Sequence, residues 1–330
     1  LGLLLSSQVL GVVSLDIDET SAQIVLKATL VILLFTEASE MDARVVRSEA
    51  GLSVRLLLAA MPLAFVFGTI AAAMMLGVLS LWEAAVLAVL LAPTDAALGQ
   101  AVVSNPAVPG TVRRSLIVES GLNDGLAVPF AFIFASVGEI LAQESTAADG
   151  IGFLLQQIGI GAGIGVAVGW IGGIALSHAA RRKWGSSASL QVAFVALAGV
   201  AFGAAEWLGG NGFISAWIAG LAFAIAVRRN LHIEGFAARS GELLTLLSFF
   251  MFGVAILPAT FDTIQWEWVG YGLVSLFVVR TVAVGLSMIG SRLRFPTVVY
   301  LGWFGPRGIG SLIIAILVAQ KFDLPNTDVI

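Results

Sequence analysis

Apolar residues gather into eleven runs along the chain, at 1–15, 22–39, 52–77, 81–103, 112–138, 151–178, 189–208, 212–227, 241–258, 268–290 and 297–320. Most of them approach or exceed the roughly 20 residues a helix needs to cross a hydrocarbon core, and the first is shorter. No ten-residue strands of alternating polarity occur, and an open sheet cannot satisfy its backbone groups in lipid, so the runs predict helices. The narrowest divide, Leu208 to Gly212 (LGGNG), reads either as a tight turn between two spans or as a kink in one long helix.

The polar connections decide between these, because their charge alternates. Asp16, Asp18 and Glu19 are followed by Arg44, Arg47 and Arg55; after a neutral turn near Ser80 come Arg113 and Arg114. Glu139, Glu144 and Asp149 then alternate with Arg181, Arg182 and Lys183, the neutral LGGNG with Arg228, Arg229 and Arg239, and Asp262 and Glu267 with Arg292 and Arg294. Thirteen of the seventeen Lys and Arg residues lie in or beside every second connection. Basic connections face the cytoplasm, and the alternation holds only if LGGNG separates two spans. The chain is then expected to start inside and end outside. The short first run and the polar break before Ile330 predict truncation at both ends.

Composition agrees: 58% of residues are hydrophobic and 12% charged, with a mean hydropathy of +0.99. A soluble domain carries about twice that charged fraction, so the class is an all-α polytopic membrane protein. The 330 residues include no cysteine, which removes disulfides and thiolate chemistry. His178 and His232 sit near basic loops without an HExxH pattern, no GxSxG elbow occurs, and no basic stripe with interleaved aromatics invites nucleic acid. A pore would need a ring of filter residues, and none is visible.

Chemistry must come from the few ionisable residues within the runs: Glu37, Asp95, Glu119, Asp124, Glu206, Glu242, Arg280 and Arg307. Glu37 and Glu206 lie near span ends and read as side chains reaching the interface, and Glu242 as a first-turn carboxylate. The stretch IVESGLNDGLAV (117–128) is different. Glu119 and Asn123 are four residues apart, as are Ser120 and Asp124, which makes a polar stripe inside a segment of membrane length. Asp95 follows Pro93 and Thr94, where the missing donor breaks a helix in mid-span; Trp303 to Ser311 (WFGPRGIGS) breaks another around Arg307. Paired interrupted helices point to a midplane binding site. Arg280, flanked by apolar residues, requires a carboxylate partner, for which Glu119 is the best candidate. The glycines Gly161, Gly165, Gly169 and Gly173 recur every four residues and predict close helix packing rather than a nucleotide loop.

ESGLND (119–124), PTD (93–95), VVR (278–280) and FGPRG (304–308), with LLFTEASEMD (33–42) and GFISAWIAGLAF (212–223), resemble the monovalent cation:proton antiporter-1 family, the NhaP-like sodium/proton exchangers. The resemblance implies a 13-helix inverted-repeat antiporter fold with two broken, crossing helices, of which about eleven segments are present. It implies one transporter domain over 1–330, with a core ion-binding bundle at 52–138 and 268–330. A scaffold or dimerisation bundle would occupy 1–51 and 189–258, and a linking helix 139–188. Asp124 would bind cation or proton, Asn123 would accompany electroneutral exchange, and Ser120 and Thr94 would add oxygen ligands for Na+. Glu119 and Arg280 would form a structural ion pair. Asp95, also at the cation site, and Arg307 would offset the half-helix dipoles. Ala96 departs from the family, where proline commonly follows Thr-Asp.

The expected function is therefore exchange of Na+ or Li+ for H+ by alternating access, without a cofactor. The protein would be a homodimer in the lipid of an inner or plasma membrane. Carboxylate, hydroxyl and freed carbonyl oxygens suit a small hard cation. A K+/H+ antiporter is the nearer alternative, and an intramembrane aspartyl protease using Asp95 and Asp124 belongs to another class.

Overall fold

The computed structural model describes residues 2–6, 9–11, 19–41, 50–95, 105, 108–142, 147–227, 234–257, 264–291, 293–322 and 325–326. Ala96 and the rest of the 81–103 run beyond Asp95 lie outside them. So do Asp16, Asp18, Arg44, Arg47, Glu144, Arg228, Arg229, His232, Asp262 and Arg292, and the side chains of Asp149, Arg239 and Glu242.

The described elements are helical. In order they are α1 Gly2–Leu5, α2 Glu19–Ser39, α3 Ala50–Arg55, α4 Met61–Met75, α5 Leu81–Leu90, α6 Gly110–Ala142 and α7 Ala147–Arg181. Then come α8 Ser187–Trp207, α9 Gly212–Val227, α10 Glu234–Met251, α11 Trp266–Val274, α12 Arg280–Ser287, α13 Phe295–Trp303 and α14 Ile309–Lys321. Wider π turns, Leu56–Ala60 and Ser275–Val279, join α3 to α4 and α11 to α12, and a third, Phe252–Ile256, follows α10. Five stretches are long and apolar enough to cross a membrane: Gly51–Met75, Gly110–Glu139, Gly152–Arg181, Ser187–Trp207 and Trp266–Ser287. Leu81–Leu90 and Gly310–Ala319 are apolar but short. They are the pieces left by the breaks at Pro93 and at Gly305–Pro306.

LGGNG is a turn. Gly209 takes a left-handed φ of 78°, and Gly210 N–H closes the end of α8 on the Ala205 carbonyl at 2.8 Å. Asn211 then caps α9: its Oδ1 accepts from the amides of Phe213 (3.0 Å) and Ile214 (3.1 Å). Glu206, exposed at the end of α8, also serves the next helix: its carboxylate accepts the Gly212 amide at 2.9 Å, at the positive end of α9.

The glycine ladder of α7 lies along α9. A Cβ on Gly161 or Gly165 would stand 2.7 and 2.6 Å from the carbonyl oxygens of Asn211 and Ser215, and one on Gly173 would be 2.8 Å from Ala226 Cβ. Gly169 sits on the Ala219 backbone. On its other side α9 places Gly220 against the Phe35 carbonyl of α2. Phe35, Phe194 and Phe223 close the space between α2, α8 and α9, with ring centres 5.0 to 5.9 Å apart. Lipid cannot drive helices together as water does, so backbone approach of this kind supplies the packing energy. Elsewhere, Gly68 of α4 meets Ala88 of α5, and Gly302 of α13 meets the Thr281 backbone of α12.

The start of α5 is fastened twice. Ser80 and Glu83 form a reciprocal cap, Ser80 N–H donating to Glu83 Oε2 at 2.8 Å and Glu83 N–H to Ser80 Oγ at 3.3 Å. The chain returning after α14 adds Asn326, whose amide donates to Glu83 Oε1 at 2.8 Å and whose Nδ2 donates to the Val78 carbonyl at 3.1 Å.

Because Gly169 meets backbone, Gly169→Ala must part α7 from α9 and is expected to destabilise by about 1–3 kcal/mol. Nothing lies within 4 Å of a Cβ on Gly163, so Gly163→Ala is the matched control and is expected to be neutral. Thermal unfolding in detergent checks both; equal melting temperatures for the two variants would refute the packing role.

Candidate ion-binding site at the helix crossing

α5 stops at Leu90, its end closed by the Leu91 and Ala92 amides on Leu87 and Val89, and the chain leaves the helix through Asp95; α13 stops at Trp303, closed by the Phe304 amide on Tyr300, and the chain runs on outside a helix to Gly308. The two stretches cross. Asp95 N–H donates to the Pro306 carbonyl at 2.8 Å, and glycines permit the approach. A Cβ on Gly305 would stand 2.6 Å from Arg280 Cδ and 3.2 Å from Thr94 Cγ2, and one on Gly308 would stand 2.7 Å from Asp95 Oδ2. Arg307 answers carbonyls freed at the end of α5: its Nη1 donates to Ala92 at 2.5 Å and to Pro93 at 3.1 Å. Its Nη2 reaches the carbonyl of Ser275, in the π turn before α12, at 3.4 Å. A guanidinium suits a helix C-terminus, where the backbone dipoles leave partial negative charge.

α6 supplies the carboxylates. Arg280 Nη2 donates to both oxygens of Glu119, at 2.9 and 3.1 Å, and the two residues are only 6% and 4% exposed. The Thr94 hydroxyl lies 3.5 Å from Glu119 Oε1. Asn123, one turn along, donates from Nδ2 to the Thr94 carbonyl and hydroxyl oxygen, both at 3.0 Å. Asn123 is thus a bracket from α6 to the break, and its own Oδ1 is buried without a partner.

Asp124 faces elsewhere. It is half-buried, and its Oδ2 would lie 2.7 Å from a Cβ on Gly310, in the first turn of α14. Among the described residues no hydrogen bond reaches its carboxylate, while the positive end of a half-helix stands beside it. Asp95 interacts with it electrostatically. Ser120 precedes it by one turn and is half-buried.

Thr94, Asp95, Glu119, Asn123, Asp124, Arg280 and Arg307 therefore converge on one crossing. Two neighbours were not legible as such. Glu37 of α2 lies within electrostatic range of Asp124 and Asp95, because α2 ends against α6, with the Glu37 carbonyl and Met41 beside Gly121. Trp217 of α9 presses its indole onto Gly125, next to Asp124, and its Nε1 is buried without a partner. The pairing of Gly125 with a large residue on another helix carries no local sequence signal. For Glu37, the nearby LLFTEASEMD stretch was the available clue.

Breaking the ion pair leaves a buried charge unmatched. Glu119→Ala or Arg280→Ala alone is expected to destabilise by about 3–5 kcal/mol, with partial recovery in a double variant carrying apolar residues. A double variant as unstable as the sum of the two singles, in chemical or thermal unfolding, would show that the pair is not energetically coupled.

Comparison with known proteins places this geometry. The chain resembles MjNhaP1, a sodium proton antiporter from Methanocaldococcus jannaschii solved at pH 8, with a TM-score of 0.76 and 20% identity over 100% of this chain and 82% of that one. It is 26% identical over 263 residues to a probable Na+/H+ antiporter of Schizosaccharomyces pombe, covering 76% of this chain and 35% of that protein. It is 28% identical over 253 residues to Na+/H+ antiporter 2 of Zygosaccharomyces rouxii, covering 70% and 30%. The chain thus spans about a third of the length of these curated relatives. The transmembrane sodium/hydrogen exchanger family matches it across residues 1–330, and with an all-helical fold built on two interrupted, crossing helices, the chain belongs to that family.

Proposed function

We propose that the chain exchanges a small monovalent cation, Na+ or Li+, for protons at Asp124. The observation that carries this reading is the unequal fate of two carboxylates on α6. Glu119 is neutralised by Arg280, whereas Asp124 receives no hydrogen bond from a described residue and lies at the crossing. A carboxylate in that position can be neutralised by a proton or by a dehydrated cation, and the two compete. Asp95, in electrostatic range, adds negative potential that favours either occupant. Thr94 and Ser120 are the hydroxyl donors assigned to the cation. Coupling follows if only the occupied site crosses the membrane. Alternating access then comes from the bundle of 52–138 and 268–330 moving against 1–51 and 189–258, with 139–188 linking them and a second copy completing the scaffold. Family membership leaves no place for the protease reading. A K+/H+ exchanger is separated by a cation panel.

Asp124→Asn keeps the shape and removes both titration and charge, so exchange is expected to vanish with the fold retained. The check is cation-dependent pH change in proteoliposomes, together with an unchanged melting temperature. Exchange at the native rate in this variant would end the proposal.

Asn123 is an amide, so one proton replacing one cation at Asp124 leaves the crossing states equal in charge. Exchange is then expected to ignore an imposed potassium-diffusion potential at fixed pH and sodium gradients. Asn123→Asp adds a like charge and favours retention of a second proton, making the cycle voltage-sensitive if that proton leaves on cation binding. Voltage dependence in the native protein would mean that a second group, with Glu37 and Asp95 the nearest, also carries charge across.

A further inference from the structure

The turn between α7 and α8 carries three successive cations, Arg181, Arg182 and Lys183, followed by Trp184. Its position relative to the bilayer follows from its neighbours. One membrane-length apolar helix ends at Arg181 and the next begins at Ser187, so the intervening residues lie at one face, where acyl chains give way to headgroups. All of 181–189 is exposed. Among the described residues, no carboxylate stands within ion-pair distance of the three cations.

The turn is ordered in an unusual way. Lys183 N–H donates to the Ala180 carbonyl at 3.1 Å and Trp184 N–H to the Ala179 carbonyl at 3.0 Å, a helix ending that needs one left-handed residue. Glycine suits that place, and the end of α8 uses Gly209 there. Here the position is taken by Lys183 at φ 55°, the one non-glycine residue with positive φ among those described. A lysine in a conformation that glycine adopts freely sends its side chain out from the tip of the turn, beside Arg181 and Arg182. Trp184 is also held. His178 meets its ring edge-on at 5.6 Å, and the Arg182 guanidinium lies 5.6 Å from its centre, yet the indole remains 69% exposed. A cation in the last turn would suffice to complement the helix dipole. It would not call for a positive-φ lysine or a fixed, exposed indole.

We propose that this turn binds an anionic phospholipid, the headgroup phosphate lying among Arg181, Arg182 and Lys183 and the indole of Trp184 against the glycerol and upper acyl carbons. Guanidinium groups match phosphate by paired hydrogen bonds, and an amphipathic indole prefers that depth. Free phosphate offers nothing to the indole, which is why the lipid, rather than the anion alone, is the ligand. The site does not depend on the transport reading, and its test does not use transport.

The experiment follows the melting temperature of the purified protein in detergent during titration with phosphatidylglycerol, with phosphatidylcholine of the same chains, and with inorganic phosphate. Phosphatidylglycerol is expected to raise it, as a ligand of the native state must, and the other two to leave it nearly unchanged. Lys183→Gly separates binding from architecture, since glycine relieves the backbone. It is expected to keep or raise the lipid-free melting temperature while losing at least half of the phosphatidylglycerol shift, and Arg182→Gln is expected to lose a comparable share. A full shift retained in both variants overturns the proposal. So does an equal shift with phosphatidylcholine or with inorganic phosphate.

Discussion

Backbone groups cannot be left unmet in hydrocarbon, and the crossing of two interrupted helices turns this constraint into a site. Each break frees carbonyls and amides within a membrane-spanning bundle, where lipid offers them no partner. The protein meets part of the demand internally, through the Asp95 amide on Pro306 and Arg307 on Ala92 and Pro93. The price is that charged groups must be kept in the membrane. Arg307 needs the end of α5, Arg280 needs Glu119, and Gly305 must lack a side chain for Arg280 to fit beneath it. The crossing, the ion pair and the glycines are therefore one arrangement, and no part of it is independently replaceable.

How much of this could be read from residues alone depended on range. Interruptions by Pro93 and Pro306 are local, because a missing amide acts on its own turn. The α7 glycine ladder is nearly as local: a four-residue repeat of small residues has few uses in lipid besides close packing. LGGNG could be resolved because charge in distant loops constrains the count of crossings, although several of those charges lie outside the described residues. Depth required that Arg280 have an acidic partner, but periodicity on α6 offered both Glu119 and Asp124.

What escaped depended on how helices meet. Position within its own run puts Glu37 near an end, yet that end abuts the middle of α6, so depth within one helix misjudged its surroundings. Glu206 is terminal on α8 and exposed, as its position indicates, but the amide it serves begins α9, which its own helix does not reveal. Two of the three π turns have no compositional mark, since LLLAA and SLFVV contain neither glycine nor proline. One of them nevertheless delivers Arg280 to Glu119 and a carbonyl to Arg307.

The fastening of Asn326 to Val78 and Glu83 has a mechanical meaning. Asn326 follows α14, and Glu83 begins α5; these are the ends of the two half-helices remote from the crossing. Their near ends are already joined, by Arg307, just before α14, to the Ala92 and Pro93 carbonyls that follow α5, and by the Asp95 amide to the Pro306 carbonyl. Two rods linked at both ends form a closed frame, which resists shear and transmits displacement as a unit. Sliding one half-helix alone would break hydrogen bonds at the periphery as well as at the centre, so the pair behaves as a single strut carrying one wall of the ion site.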